Sequence, residues 1–219
     1  MIVINHKSNL DINEILEYEK NIRELDIIIM PTLCYLPIFR NGNYKLGSQD
    51  ISEFKEKART GEINGDQLKS MNVKYNLIGH SERRRYNEES DNTMLIKFNN
   101  CKENNITPIY CIGANIESEI DLAFKTNNDE IIFAYEPVEN IGNKTPNLDY
   151  VENKMNYIKK YIENKYNKTI KLLYGGGVNI NNIDEILSMK NIDGVLISSD
   201  ALNIEHLKEM YSKCKKKGY

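Results

Sequence analysis

The sequence predicts an α/β fold: a closed (β/α)8 barrel built as one domain over residues 1–219. Three observations predict it. Eight short apolar runs recur along the chain, each is followed by a helical or part-helical stretch, and no Ser-, Gly- or Pro-rich linker divides the sequence. Runs of about four to six residues suit parallel strands buried on both faces. Alternation alone leaves an open, doubly wound sheet as the other arrangement. Barrels of this kind typically take ~250 residues, so a chain of 219 makes a trimmed one.

Taken in order, the first run is Ile2–Asn5. The segment Asn9–Glu24 follows with helical spacing and places Leu10, Ile15, Leu16 and Ile22 largely on one side. After the second run, Ile27–Met30, the stretch PTLCYLPIFRN is poorly periodic and Pro37 interrupts it, which predicts a short, irregular helix. The third run, Tyr44–Gly47, precedes a helix over Gly65–Met71, and the fourth, Tyr75–Gly79, precedes one over Asn87–Asn104. The fifth, Thr107–Ile112, is followed by Glu117–Phe124. The sixth, Ile131–Tyr135, is followed by Asn147–Tyr166, where Leu148, Val151, Met155, Ile158 and Ile162 share a face. The seventh, Ile170–Tyr174, and eighth, Gly194–Ile197, are followed by helices over Ile180–Met189 and Asn203–Cys214. The chain is lean between Cys111 and Glu136, where a loop, a helix, a loop and a strand must all fit.

Composition removes several functions. Lys+Arg is 29 against Asp+Glu 32, a net charge of −3, which excludes a generic basic nucleic-acid binder. The basic end, KCKKKGY, reads as a solvated helix terminus. No apolar run approaches the ~18 residues of a membrane span. The opening MIVINHKSNL lacks a charged start and a long apolar centre, so no secretory signal is expected. Cys34, Cys101, Cys111 and Cys214 are scattered without a CxxC pair or a Cys/His cluster. That argues against a disulfide framework or a metal site and fits a reducing cytoplasm. No nicotinamide, flavin or pyridoxal motif is present, so no cofactor is expected.

In such a barrel the chemistry sits at the C-terminal ends of the strands. Polar groups ending the runs are therefore the candidates. Glu136 follows IIFAY and is stopped by Pro137, at a point where burial raises a carboxyl toward the range of a general base. His80 ends YNLIGH and opens SERRRY, where His80 or Ser81 caps a helix with Glu82 in its first turn. A histidine at a helix N-terminus stays neutral and can donate to a substrate carbonyl. Lys7, flanked by Asn5 and Asn9, offers a cation to an anionic substrate. Gly175, Gly176 and Gly177 let backbone amides approach an anion, and phosphate sites in barrels commonly lie after strands seven and eight, here at Gly175–Gly177 and Ser198–Ser199. The polar stretch Pro137–Thr145, centred on Gly142, has the character of a lid. Base, neutral electrophile, cation, anion cradle and lid together suit proton abstraction beside the carbonyl of a small phosphorylated substrate.

The same residues carry a family resemblance. NHK (Asn5–Lys7), TGEI (Thr60–Ile63), IGHSERR (Ile78–Arg84), CIG (Cys111–Gly113), AYEPVENIG (Ala134–Gly142) and LYGGGV (Leu173–Val178) resemble the triosephosphate isomerase family, in order, over almost the whole chain. That family is itself the reference case for a glutamate base paired with a neutral histidine beneath a closing loop. The resemblance implies a TIM barrel that interconverts dihydroxyacetone phosphate and D-glyceraldehyde 3-phosphate through an enediolate, in glycolysis and gluconeogenesis. It implies Glu136 as base, His80 as electrophile and Lys7 as the cation. It further implies Asn5 assisting at the oxyanion, Glu82 supporting Lys7, and Cys111 packing near the base without reacting. It also implies a homodimer formed through the loop Gln49–Gly61, with Thr60 reaching the partner's site.

The phosphate contacts depart from the family pattern. Gly177 stands where the family has a serine, Ser198–Ser199 where it has a glycine pair, and Asp200 adds a negative charge next to them. The lid's usual tryptophan is Glu139, and its far end is one residue short. The loop Gln49–Gly61 is unusually charged, with Glu53, Lys55, Glu56, Lys57 and Arg59. Two other readings therefore stand beside the first: the same enediol chemistry on another small aldose or ketose phosphate, and an inactive barrel kept for binding.

Overall fold

In the computed structural model the residues described are 1–126, 130–137 and 147–219. Eight parallel strands close into a barrel in chain order. They are β1 (Ile2–Asn5), β2 (Ile28–Met30), β3 (Lys45–Ser48), β4 (Tyr75–Ile78), β5 (Thr107–Ile112), β6 (Ile132–Tyr135), β7 (Lys171–Tyr174) and β8 (Gly194–Ile197). Closure runs through β8 and β1, with Ile2, Val3 and Ile4 opposite Val195, Leu196 and Ile197. The alternative of an open sheet is thereby removed.

Because side chains alternate along a strand, the apolar runs divide into two packed layers. Val3, Leu77, Ile109, Cys111, Ile132, Ala134, Leu173 and Leu196 pack together inside the barrel. Their neighbours Ile2, Ile4, Ile78, Tyr110, Phe133, Tyr135, Leu172, Tyr174 and Val195 face outward into the layer beneath the helices. A run that must be apolar on both faces is what eight consecutive sheltered strands require.

The helices are α1 (Ile12–Ile22), α2 (Gly65–Ser70), α3 (Ser81–Tyr86), α4 (Asp91–Glu103), α5 (Ile116–Phe124), α6 (Leu148–Tyr166), α7 (Ile183–Ile186) and α8 (Ile204–Lys216). Polar side chains start most of them. Asp11 and Glu14 form a capping box on α1, Asn64 and Gln67 one on α2, and Ser90, Asn147 and Asn203 cap α4, α6 and α8. Val151, Met155, Ile158 and Ile162 of α6 are all buried, as their spacing predicts.

Three expectations need correction. Leu16 is 44% exposed, because the buried stripe of α1 runs through Ile15, Tyr18, Glu19 and Ile22, and Leu16 lies about 100° further round. The helix expected over Asn87–Asn104 begins only at Asp91, and the preceding SERRRY forms its own helix, α3, separated by a turn. The helix expected over Ile180–Met189 shrinks to α7, since Asn179 and Asn182 bond each other's backbone and side chain in the loop before it. The irregular segment containing Pro37 is a 3-10 helix over Leu33–Ile38.

Two polar features sit inside this apolar frame. Asp50, Arg83, Glu89 and Lys97 form a ring of alternating charge that joins the loop after β3 to α3 and α4, with Arg83 2.7 Å from both carboxylates and Lys97 only 3% exposed. His6 continues the outward stripe of Ile2 and Ile4. It is fully buried, edge-on to Tyr18 at 4.4 Å, with neither ring nitrogen hydrogen-bonded among the described residues. Burial pushes its pKa from 6.5 down to about 3.

That depression sets an acid limit. Between pH 6.5 and about 3 the unfolded chain binds a proton at His6 that the folded chain refuses, so stability is lost as pH falls across this window. At about 1.4 kcal/mol per pH unit the loss reaches ~3 kcal/mol by pH 4. His6→Phe keeps the ring and removes the titration. Urea unfolding at pH 7 and pH 4 should show the variant losing ~3 kcal/mol less than the natural sequence on acidification; equal losses would contradict a neutral, buried His6.

Candidate active site

The inward stripe does not stop where the apolar residues do. Two residues beyond Val3 comes Asn5, beyond Ala134 comes Glu136, beyond Leu173 comes Gly175 and beyond Leu196 comes Ser198. The same period that packs the interior therefore carries these four to the C-terminal mouth. They line one cleft of about 640 Å³, together with Lys7, His80, Glu82, Gly176, Gly177 and Ser199. Every residue selected from the sequence for the site is present there except Gly142, which lies outside the described residues with the lid beyond Pro137.

Glu136 is 9% exposed. Burial pushes its carboxyl above the usual range, with His80, a hydrogen bond from Cys111 and the charge of Lys7 pulling the other way. The Cys111 thiol is driven well up by the same burial and stays protonated, so it serves as a donor to the base. Glycines give Glu136 its room. A Cβ on Gly175 would stand 2.9 Å from the Glu136 Cγ, and one on Gly113 only 2.0 Å from its carbonyl oxygen.

His80 caps α3. Its Nδ1 accepts the backbone N–H of Glu82 at 3.3 Å, closer than the Glu82 carboxylate at 3.6 Å. An amide nitrogen can only donate, so Nδ1 holds a lone pair and the ring proton sits on Nε2. That Nε2 faces the Glu136 Oε1 at 3.6 Å, beyond hydrogen-bond length, and both groups line the same cleft. Gly79, at φ +67°, makes the turn that swings His80 from strand to mouth.

Lys7 has φ +52°, a conformation costly for a residue with a side chain. Three bonds hold it there. Its amide donates to the Asn5 Oδ1 at 3.0 Å, and its carbonyl accepts from the Thr32 hydroxyl at 2.7 Å and the Gln49 amide at 2.8 Å. Its Nζ lies 2.6 Å from Glu82 Oε1, so Glu82 fixes the cation while its own amide fixes His80. At the opposite side of the cleft, among the described residues, the Gly176 and Gly177 amides donate to no other group. Ser198 is committed elsewhere: its hydroxyl donates to the Asn5 carbonyl at 2.9 Å across the closing seam. Ser199 is exposed at the rim. No group of three His, Cys, Asp or Glu side chains among the described residues is arranged to hold a metal ion.

A family model described as triosephosphate isomerase matches residues 1–214. The chain belongs to the triosephosphate isomerase family. Proteins named triosephosphate isomerase from Buchnera aphidicola subsp. Baizongia pistaciae and Orientia tsutsugamushi (strain Boryong) are each 35% identical to it. The matches cover 89% and 94% of this chain and 87% and 94% of those relatives. Another so named, from Mycoplasmopsis agalactiae, is 35% identical over 84% of this chain and 77% of its own length.

Within this triosephosphate isomerase fold, sequence reasoning missed Thr32 and Gln49 as supports of Lys7. The strand-end rule would have found both, since they follow β2 and β3, but each looks like an ordinary loop residue until the Lys7 carbonyl is placed. Asp200 is more than an added charge beside the anion cradle. The structure engages it: Oδ2 accepts the Ile180 amide at 2.7 Å and Oδ1 lies 2.9 Å from His206 Nδ1.

The raised carboxyl of Glu136 has a stability consequence. A folded-state value above the unfolded one means the folded chain favours the protonated form. The contribution of this group is thus present at low pH and lost as pH rises through the folded value. Glu136→Gln removes the buried charge. It should be more stable than the natural sequence at pH 8, by an amount that shrinks toward pH 4, in denaturant midpoints measured at both. A variant less stable at every pH would mean that His80 and Lys7 overcompensate the burial.

Proposed function

We propose that this chain interconverts dihydroxyacetone phosphate and D-glyceraldehyde 3-phosphate, the isomerase activity for which its relatives are named, as a step of glycolysis and gluconeogenesis. The observation that carries this reading is the facing pair: the buried carboxyl of Glu136, just past β6, and the protonated Nε2 of His80, 3.6 Å apart at the barrel mouth. In the reaction, Glu136 takes the proton from the carbon beside the carbonyl. The Nε2–H of His80 donates to the carbonyl oxygen, and Lys7 supplies positive charge to the enediolate, with Asn5 at the same oxygen. The proton returns to the neighbouring carbon, while the hydroxyl proton passes from one oxygen to the other by way of His80, so that carbonyl and hydroxyl exchange places. No cofactor or metal enters. Glu82 positions Lys7. The Gly176 and Gly177 amides and Ser199 hold the phosphate, the Gly175 amide being taken by the Tyr135 carbonyl at 2.9 Å, and Ser198 braces the turn beside them.

The same reading takes residues 1–219 as one domain of a cytoplasmic homodimer that requires neither nucleic acid nor membrane. Two observations support the dimer. Tyr86 is 70% exposed at the end of α3, the helix that begins beside His80. The loop Gln49–Gly61 presents Lys55 to Thr60 to solvent, with Arg59 stacked 4.2 Å over Phe54. Among the described residues no helix is long and apolar enough to cross a membrane.

Turnover of glyceraldehyde 3-phosphate by the purified protein tests the activity. Glu136→Gln should lower kcat by roughly 10²–10⁴-fold. Negligible turnover by a folded natural chain would move the reading to another small sugar phosphate, and failure across a substrate panel to a binding role. Sedimentation velocity at micromolar concentration should give twice the chain mass; a monomer that still turns over would remove the dimer from the reading.

A further inference from the structure

The anion end of the cleft is made by two loops that different strands deliver, and something must hold them at a fixed spacing. The loop after β7 is stiff within itself. The Gly177 carbonyl accepts from Asn179 at 3.1 Å and from Asn182 at 2.9 Å, and the Asn179 amide donates to Asn182 Oδ1 at 2.8 Å. The loop after β8 is tied to β1 by Ser198 and to α1 by the Tyr18 hydroxyl, which donates to the Ala201 carbonyl at 2.7 Å. Among the described residues one hydrogen bond joins the two loops to each other: the Ile180 amide to Asp200 Oδ2, at 2.7 Å. The other carboxylate oxygen lies against the His206 ring in the first turn of α8, where Asn203 sets the helix start. A negative charge beside an anion site repels if it is free. Here both oxygens are occupied, and the carboxylate acts as an acceptor that draws one loop onto the other.

We propose that Asp200 is a positioning residue for the anionic end of the substrate. Its carboxylate, held by His206, clips the Gly175–Gly177 turn to the Ser198–Ser199 turn, so that the amides offered to the phosphate keep one geometry. The proposal rests on the function given above. It touches binding of the phosphate group and leaves the proton transfer between Glu136 and the substrate alone.

The test uses Asp200→Ala, which removes clip and charge, Asp200→Asn, which keeps an oxygen for the Ile180 amide, and His206→Phe, which removes the partner of the other oxygen. KM and kcat are measured for glyceraldehyde 3-phosphate, affinity for inorganic phosphate by calorimetry, and folding by thermal melting. Asp200→Ala should raise KM and weaken phosphate binding by roughly 5- to 50-fold with kcat within about twofold. Asp200→Asn should recover most of that loss, and His206→Phe should fall between. Tighter phosphate binding in both Asp200 variants would show that the charge repels and would overturn the proposal, as would an unchanged KM. Parallel losses of kcat, KM and melting temperature that asparagine fails to rescue would reduce Asp200 to a structural support. If Asp200→Ala does not fold, Asp200→Asn and His206→Phe decide on the same readings. If the natural chain has no turnover, the functional reading fails by itself. Phosphate affinity then judges the clip, and equal or absent binding in natural and variant chains overturns it.

Discussion

In a strand four residues long only two side chains face inward, so the barrel mouth begins at its last residue or just past it. β1 illustrates the constraint. Val3 fills the interior and Asn5 reaches the cleft, while Ile2, Ile4 and His6 pack outward. The eight short strands therefore build the interior and deliver the functional groups with the same alternation. No strand can shift its register by one residue without exchanging its buried and cleft-facing sets. Closure through β8 and β1 locks that register, and Ser198 adds a side-chain bond at the seam where the loop of the last strand meets the first.

Holding the cleft in working form costs the fold stability that the surrounding structure supplies. Glu136 is desolvated and Lys7 sits at a disfavoured φ. The supports come from elements far apart in the chain. Thr32 after β2 and Gln49 after β3 hold the Lys7 carbonyl, and Glu82 in α3 serves Lys7 and His80 at once. Gln49 begins the segment that carries Asp50. Through the ring with Arg83, Glu89 and Lys97, the loop after β3 and the helix bearing Glu82 are thus fixed to each other. A displaced loop would disturb Lys7 from two directions.

The strands were legible because each needs apolar residues on both faces, which leaves an unbroken run to read. Three of them, Ile2–Asn5, Thr107–Ile112 and Gly194–Ile197, have in the structure the bounds read from the sequence. Helix ends were less legible, since they depend on side-chain bonds such as the Asn179–Asn182 pair, whose partners are known only once the loop is folded. Within the cleft, Glu136 and His80 could be located from strand position. The direction of a short polar side chain could not. Ser198 turns to the Asn5 carbonyl and Asp200 to Ile180 and His206, choices made by backbone groups that no local pattern reveals.

The two glycines beside Glu136 limit how this sequence can change over generations. Gly175 comes from β7 and Gly113 from the end of β5, so the base is hemmed in from both neighbouring strands, and any side chain at either place would occupy space that the glutamate or its carbonyl already fills. A single substitution at 113 or 175 meets that obstacle at once, whatever benefit it brings elsewhere. The base and its two flanking glycines therefore behave as one inherited unit. Change is easier on the exposed helix faces than at these three positions.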